Sequence, residues 1–427
     1  MRRLAVVRDL FGRFRVAVLG DPEGAAASAW RELALELCGG LGAYEVGRNP
    51  LVVLEPEAWE RFTAGAPCET YGDALSVAWV DRLLVGQYWS AFPAEAADGG
   101  RGLRPWRYAF CALKGGVGRS TACAVAARQL AAKGHRVLVV DLDLESPGLG
   151  HLLLGRERWP EHGVVDWFVE DAVGQGEAVL ASLVAEAEGT EDLPGAVFVA
   201  PAHGRQPAGY LDKLGRAYLD RPPQGEEVVP EPWPHRLARC VADLERRTGA
   251  DVVLLDVRNG LHDVAAAAVT ALDAEALLFT TDAAANWAGW RLLFEHWHAR
   301  GVATRIRERL HMVAAFVPVE AFDQHLRAFR ERAWDLFRET MYDEVPAEDR
   351  PELEDASTPF SFDLDDQDAP HHPWPILWSQ EVARVARPAE LPLAVVQGAF
   401  GDFVQRLQGL AAARGEGGRL GRREAAP

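Results

Sequence analysis

Short apolar runs separated by Gly- and Pro-rich turns recur along most of the chain, and their lengths set the elements. Over residues 1–90, Phe14–Leu19, Pro50–Leu54 and Ala74–Leu84 read as strands, and the Ala-rich stretch Pro22–Leu41, ended by Gly39 and Gly40, reads as a helix. From Trp106 the rhythm becomes strand, glycine turn, helix, strand. Tyr108–Leu113 is apolar, Lys114–Gly118 is a turn, Ser120–Lys133 is helical with Gly134 as its C-terminal cap, and Arg136–Asp143 is a strand with an unbroken apolar centre. A strand apolar on both faces belongs to a parallel sheet covered by helices. Further strands are expected at Ala196–Ala200, Asp251–Asp256, Ala276–Thr280 and His311–Pro318, with helical stretches between them. The longest apolar stretches, such as Val264–Val269, are strand-sized and far short of the ~20 residues that span a bilayer. The fold class expected is α/β: a doubly wound, mostly parallel sheet preceded by a small N-terminal α/β domain.

The same pattern divides the chain. Residues 1–90 form the expected N-terminal domain, 91–105, rich in Ala, Gly and Pro, a linker, and 106–412 the main domain. Met341–Pro370 carries eleven acids against the single base Arg350, with prolines at 346, 351, 359 and 370, the composition of a mobile solvated loop. From Gly409 the chain turns Ala/Gly/Arg-rich, and residues 413–427 are expected to be a flexible basic tail.

Composition and charge narrow the function. With 427 residues and 48% of them hydrophobic, the chain can bury a large core and is neither disordered nor collagenous. A net charge of −18 disfavours non-specific binding to nucleic acid or anionic membrane. The five cysteines are odd in number, widely spaced and without a C-x-x-C, which argues against a disulfide framework and against most zinc or iron–sulfur sites. Arginines at 2, 3, 8, 13 and 15 interrupt the N-terminus and leave no signal-peptide core, so a cytoplasmic location is expected. Only three of the basic residues are lysines, Lys114, Lys133 and Lys213.

Lys114-Gly115-Gly116-Val117-Gly118-Arg119-Ser120-Thr121 is the strongest chemical signal. Glycines between a buried strand and a helix let successive backbone N–H groups wrap a phosphate chain, with the positive end of the helix beneath it. A hydroxyl at Ser120, on the first helical turn, is where a Mg²⁺ ligand is expected. The turn resembles the deviant Walker A motif of the ParA/MinD-type P-loop ATPases, usually K-G-G-x-G-K-[ST]-T. The resemblance implies that Lys114 is the signature lysine that reaches across a nucleotide-sandwiched homodimer to the partner's phosphates. At Arg119 the family has the P-loop lysine that touches the β- and γ-phosphates. Arginine keeps the charge with a different, planar geometry, so Arg119 is expected to be an adapted phosphate ligand, and hydrolysis is the function it puts in question. The K-G-G-V-G-R form resembles that of a whole subgroup of ParA-like ATPases.

Three carboxylates extend the match. Val139-Val-Asp141-Leu-Asp143 ends a strand where α/β sheets gather ligand groups. It resembles the family's D-x-D motif, which implies that Asp143 places the attacking water and Asp141 supports the Mg²⁺ shell, with Leu144–Leu149 as a loop that senses the γ-phosphate. Asp251–Asp256 has the Walker B form, an apolar strand delivering Asp256 to Mg²⁺. Asp256-Val-Arg258-Asn-Gly-Leu261 looks like a D-x-R-x-G-L segment of the same subgroup, with Arg258 either a switch residue or a loop salt bridge. Asp81–Trp89 and His371–Trp378 are also similar to that subgroup. Base recognition is thinner: relatives commonly end a late strand with an adenine-reading Asn, whereas here Phe316–Glu320 closes it, so ATP is inherited from the resemblance, with Pro318 and its neighbours as backbone contacts.

Weaker features take ordinary readings. Trp287, Trp290 and Trp297 mark a packed helix face, and the adjacent His371 and His372 are expected in a loop. Phe400–Leu410 is amphipathic, either docked on the sheet or, by analogy with MinD, on a membrane, with docking preferred. The resemblance therefore implies an ATP- and Mg²⁺-dependent switch that dimerises around nucleotide for an unknown protein partner, in a bacterial defence or signalling setting. The alternative is a nucleotide-sensing scaffold with little hydrolysis because of Arg119. Metabolic relatives are disfavoured by the missing paired cysteines, and tyrosine kinases by the absence of any Tyr after Tyr342.

Overall fold

The computed structural model describes residues 2–20, 26–47, 49–63, 66–72, 75–92, 105–223, 230–344 and 359–424. The chain falls into two compact units, Met1–Ala96 and Ala97–Pro427. In the first, β1 (Arg2–Arg8), β2 (Phe14–Leu19), β3 (Leu51–Leu54), β4 (Cys68–Tyr71) and β5 (Leu75–Asp81) form one sheet in the order β3-β2-β1-β5-β4. Alternation along the strands buries both faces: Leu4, Val16, Val18 and Val77 pack with Ala34 and Cys38 of the helix Ala27–Cys38, while Ala5, Val7, Ala17 and Val80 pack with Trp59 of the helix Pro56–Phe62. The sequence pattern does not reveal β1, because arginines flank its short apolar centre. Nor does it reveal β4, whose four residues are all exposed.

The second unit holds an eight-stranded sheet of β6 (Trp106–Ala112), β7 (Arg136–Leu142), β8 (Ala185–Glu186), β9 (Ala196–Ala200), β10 (Val252–Val257), β11 (Glu275–Thr280), β12 (Leu310–Val317) and β13 (Trp374–Leu377). Their order is β13-β12-β11-β6-β10-β7-β9-β8, and every neighbouring pair is parallel except β8 with β9. The chain leaves β6 for β7, runs outward to β9, returns to insert β10 between β6 and β7, and then crosses to β11 on the other side of β6. Connections thus diverge at β6 and β10, which opens a crevice at the carboxyl ends of these strands.

The helix Arg119–Ala132 is buried over most of its surface: Ala122 to Ala127, Leu130 and Ala131 are each at most 2% exposed. It is covered by the sheet on one side and by the long helix Leu393–Glu424 on the other. Phe403 of that long helix sets its ring against Phe110, Phe279 and Trp374 at 5.9–6.3 Å between centroids. The amphipathic face Phe400–Leu410 is therefore spent on the sheet. The helix runs on to Glu424, so the expected flexible tail from residue 413 is helical as far as it is described. Once a helix is anchored, each added residue gains a backbone bond without a new nucleation cost.

The strand-sized run Val264–Val269 lies within the helix Asp263–Thr270, buried from Val264 to Thr270, since an apolar run this short has no period of its own. One other expectation changes. The described parts of the acidic segment, 341–344 and 359–370, are packed against each other rather than loose. Phe360 and Phe362 stack with Tyr342 at 5.0–5.8 Å, Trp334 Nε1 donates to Phe362 O at 3.0 Å, and Asp343 takes Arg307 at 2.5 Å. Its aromatic residues outweigh its charge; residues 345–358 and most of the expected linker, 93–104, lie outside the described residues. His371 and His372 lie in the turn before β13, as expected, and are buried there, His371 bridging Tyr342 Oη and Leu364 O. Trp290 and Trp297 are core residues, as their spacing suggests. Among the described residues no helix is long and apolar enough to cross a membrane.

Beside the sheet, the fully buried Arg236 donates to Asp171 at 2.9 Å and to the carbonyls of Phe168 and Leu219, and Arg239 adds a second pair to Asp171 at 2.9 Å. Removing one partner of such a cluster strands a buried charge. Asp171→Ala is expected to lower the unfolding free energy by about 3–5 kcal/mol in urea denaturation, while an equally stable variant would show that the cluster adds nothing.

Candidate nucleotide-binding site

The turn after β6 has the backbone a phosphate needs. Gly116 and Gly118 both sit at φ +77°, a conformation that disfavours any side chain, and Gly118 caps the helix Arg119–Ala132. The amides of Gly115, Gly116, Val117 and Gly118 donate to no protein group among the described residues. Four free donors at a helix N-terminus form an anion cradle. Lys114 is exposed at its mouth, with no partner among the described residues, while Val117 is buried under the turn. Phe316 closes the other side: it has φ +57°, and a Cβ on Gly118 would stand 3.1 Å from its ring.

Opposite the turn, β7 and β10 deliver the carboxylates. Asp141 and Asp256 are register partners on adjacent strands, and Asp143 lies one residue beyond β7. All three are at most 5% exposed. Asp141 spends its two oxygens on the amides of Asp143 and Leu149 at 3.2 and 3.1 Å, which fold the loop after β7 back on itself. Burial, with Asp256 and Asp143 nearby, pushes its pKa up to about 8. Burial also raises Asp256, against the opposing pull of Arg119, and the Ser120 hydroxyl lies within hydrogen-bonding reach of it. Oxygen donors of this kind match what Mg²⁺ takes. Among the described residues no three His, Cys, Asp or Glu side chains are grouped so as to hold a metal ion.

Arg119, expected to be an adapted phosphate ligand, is held here by protein partners. It is 5% exposed and points into the carboxylates: Nε donates to Asp256 at 2.6 Å, Nη2 to Asp143 at 2.9 Å and Nη1 to Asn259 at 2.7 Å. Burial pulls its pKa down, but the two carboxylates outweigh this and hold it above the ordinary arginine value.

The loops after β7 and β10 are tied together through Glu145, a residue of the loop Leu144–Leu149 to which the sequence assigns no individual role. Arg258 forms an ion pair with Glu145, Tyr218 donates to it at 2.8 Å, and His262 Nε2 lies 3.8 Å away. Of the two roles open to Arg258, the salt bridge is the one present, and it joins two loops at the crevice. Burial and the Arg258 charge hold His262 down at about 4, so it is neutral at pH 7, and its Nδ1 accepts from Val264 N. Tyr210 Oη donates to Leu144 O at 2.6 Å, so the helix Tyr210–Ala217 also grips the loop after β7. Among these, Arg258 and Glu145 lie in segments the sequence marks, Arg258 in its motif and Glu145 in the loop Leu144–Leu149; Tyr210 and Tyr218 are far from both in sequence and meet them only through the fold. Gly118→Ala should cost about 1–2 kcal/mol from its left-handed backbone alone, before the clash with Phe316, and should abolish nucleotide binding measured by fluorescence titration.

Residues 108–286 match the family described as the CobQ/CobB/MinD/ParA nucleotide binding domain. No curated protein matches the chain. Among solved structures, pNOB8 ParA bound to nonspecific DNA is 17% identical, with 74% of this chain and 99% of that chain covered at a TM-score of 0.43. The cell division ATPase MinD of Pyrococcus furiosus is 21% identical over 49% of this chain and 72% of that chain, TM-score 0.34. The septum site-determining protein MinD complexed with Mg-ADP from Pyrococcus horikoshii OT3 is 19% identical over 49% and 70%, TM-score 0.33. Such distant likenesses support no detail of the site. The family match falls on the glycine turn, on the strands that lead to Asp141, Asp143 and Asp256, and on the crevice between them, so residues 108–286 are a nucleotide-binding domain of the kind found in CobQ, CobB, MinD and ParA.

Proposed function

We propose that the second unit is an ATP- and Mg²⁺-binding switch whose conformational or dimeric state is read by a partner protein. The observation that carries this reading is the meeting of four unpaired amides, Gly115–Gly118, with Asp143 and Asp256 at one end of the sheet. On this reading those amides and the first turn through Thr121 hold the phosphates. Ser120 and Asp256 hold Mg²⁺, with Asp141 fixing the loop behind them. The ion, when bound, neutralises phosphate charge. Asp143 orients the attacking water, and Lys114, exposed at the mouth, meets the phosphates held by a second copy of the chain.

One observation favours the scaffold reading: Asp143 is engaged by Arg119 at 2.9 Å and is not free to hold water in this arrangement. Single-turnover phosphate release separates the two, because a scaffold binds ATP and releases none. DNA belongs among the partners to be tested, since eleven of the acids lie in Met341–Pro370 and the net charge says little about the rest of the surface.

For a switch, Asp143→Asn is expected to slow phosphate release about 10²-fold with nucleotide affinity nearly kept. Lys114→Ala is expected to leave ATP binding intact and to remove the ATP-dependent doubling of mass in light scattering. Unchanged turnover in the first variant, or an unchanged dimer in the second, removes the role assigned to that residue.

A further inference from the structure

This inference rests on the reading of the crevice as a Mg²⁺-nucleotide site. Three of the groups around the expected cation position already face one planar cation. Arg119 reaches Asp256 at 2.6 Å and Asp143 at 2.9 Å, and its Nη2 stands 3.4 Å from Ser120 Oγ. The third edge of the guanidinium is fixed by Asn259 at 2.7 Å, and the whole side chain is 5% exposed. A second cation cannot enter the same oxygens without repulsion from this charge, nor without taking the space it fills. A lysine could not do the same, because a single ammonium on a thinner stem cannot span two carboxylates and an amide in one plane.

We propose that Arg119 is a resident counter-ion that occupies the cation position of the nucleotide-free site. A divalent ion therefore binds only together with nucleotide, when the guanidinium turns out to the phosphate chain and leaves Asp143 and Asp256 to the ion. The same movement releases Asn259, whose neighbour Arg258 is paired with Glu145 of the loop after β7. Exchange of cations at Arg119 thus loosens both loops at once, and the residue that departs from the lysine pattern is the element that links nucleotide arrival to them.

The test uses the full chain and Mn²⁺ as the probe, read by the electron paramagnetic resonance of the free aquo ion. Without nucleotide, wild type should bind Mn²⁺ at least about tenfold more weakly than Arg119→Ala. Arg119→Ala leaves two buried carboxylates without a partner and can fail to fold, so Arg119→Lys, which keeps a charge but frees part of the position, is measured beside it, and circular dichroism melts identify the folded variants. Arg119→Lys is also expected to bind Mn²⁺ more tightly than wild type. Equal Mn²⁺ affinity in wild type and each folded variant overturns the proposal. A fluorescent ATP analogue then closes the cycle: in wild type, nucleotide and Mn²⁺ should raise each other's affinity by the same factor. If wild type binds no nucleotide even with Mn²⁺ present, the reading of the crevice as a nucleotide site fails, while the Mn²⁺ comparison still decides whether Arg119 fills the cation position.

Discussion

Like charges held in a dry crevice are the constraint on which this site depends. The register of β7 and β10 sets Asp141 beside Asp256, and the chain reversal after β7 brings Asp143 to the same place. Two carboxylates side by side away from water repel each other and lose their hydration. The protein answers with two devices. Asp141 is drawn towards its neutral form and spends its oxygens on backbone amides, while Asp143 and Asp256 share one guanidinium. Buried ionic clusters contribute little net stability, but they tolerate few arrangements. This one fixes the glycine turn, the loop after β7 and the loop after β10 relative to each other through a single side chain.

Around that cluster the supports become progressively more local to this chain. The glycine turn and the strand carboxylates are what any phosphate-binding crevice of this topology requires. Glu145, held by Arg258 and Tyr218, and Leu144, held by Tyr210, belong to a second ring in which a helix outside the sheet grips the loop after β7. The loops at the crevice are therefore not free-standing; their positions are shared with the helix Tyr210–Ala217, which offers a surface through which the state of the crevice reaches the outside of the unit.

Much of this was legible in the sequence, and the parts that were not share a cause. The central strands showed because continuous runs such as Val137–Val140 and Val252–Leu255 have no polar face to disguise them. The glycine turn showed because positive φ restricts residue choice at Gly116 and Gly118. Arg119 was legible as an oddity, but its partners were not, since Asp256 and Asn259 lie more than a hundred residues away and only the sheet order brings them near. β1 was hidden by flanking arginines, and the helix Asp263–Thr270 by an alanine run too short to display a period. Segment 359–370 was misjudged because acid count says where charge is, not what Phe360 and Phe362 cover.

The long helix Leu393–Glu424 has a consequence for how the phosphate turn is supported. The helix beneath the glycine turn is rich in alanine, and one of its sides is covered by Phe400, Phe403 and Leu407. The turn thus stands on small side chains whose cover comes from a distant segment of the same unit, and a change at Phe403 reaches the phosphate cradle through the packing of that helix rather than through any contact with the cradle itself.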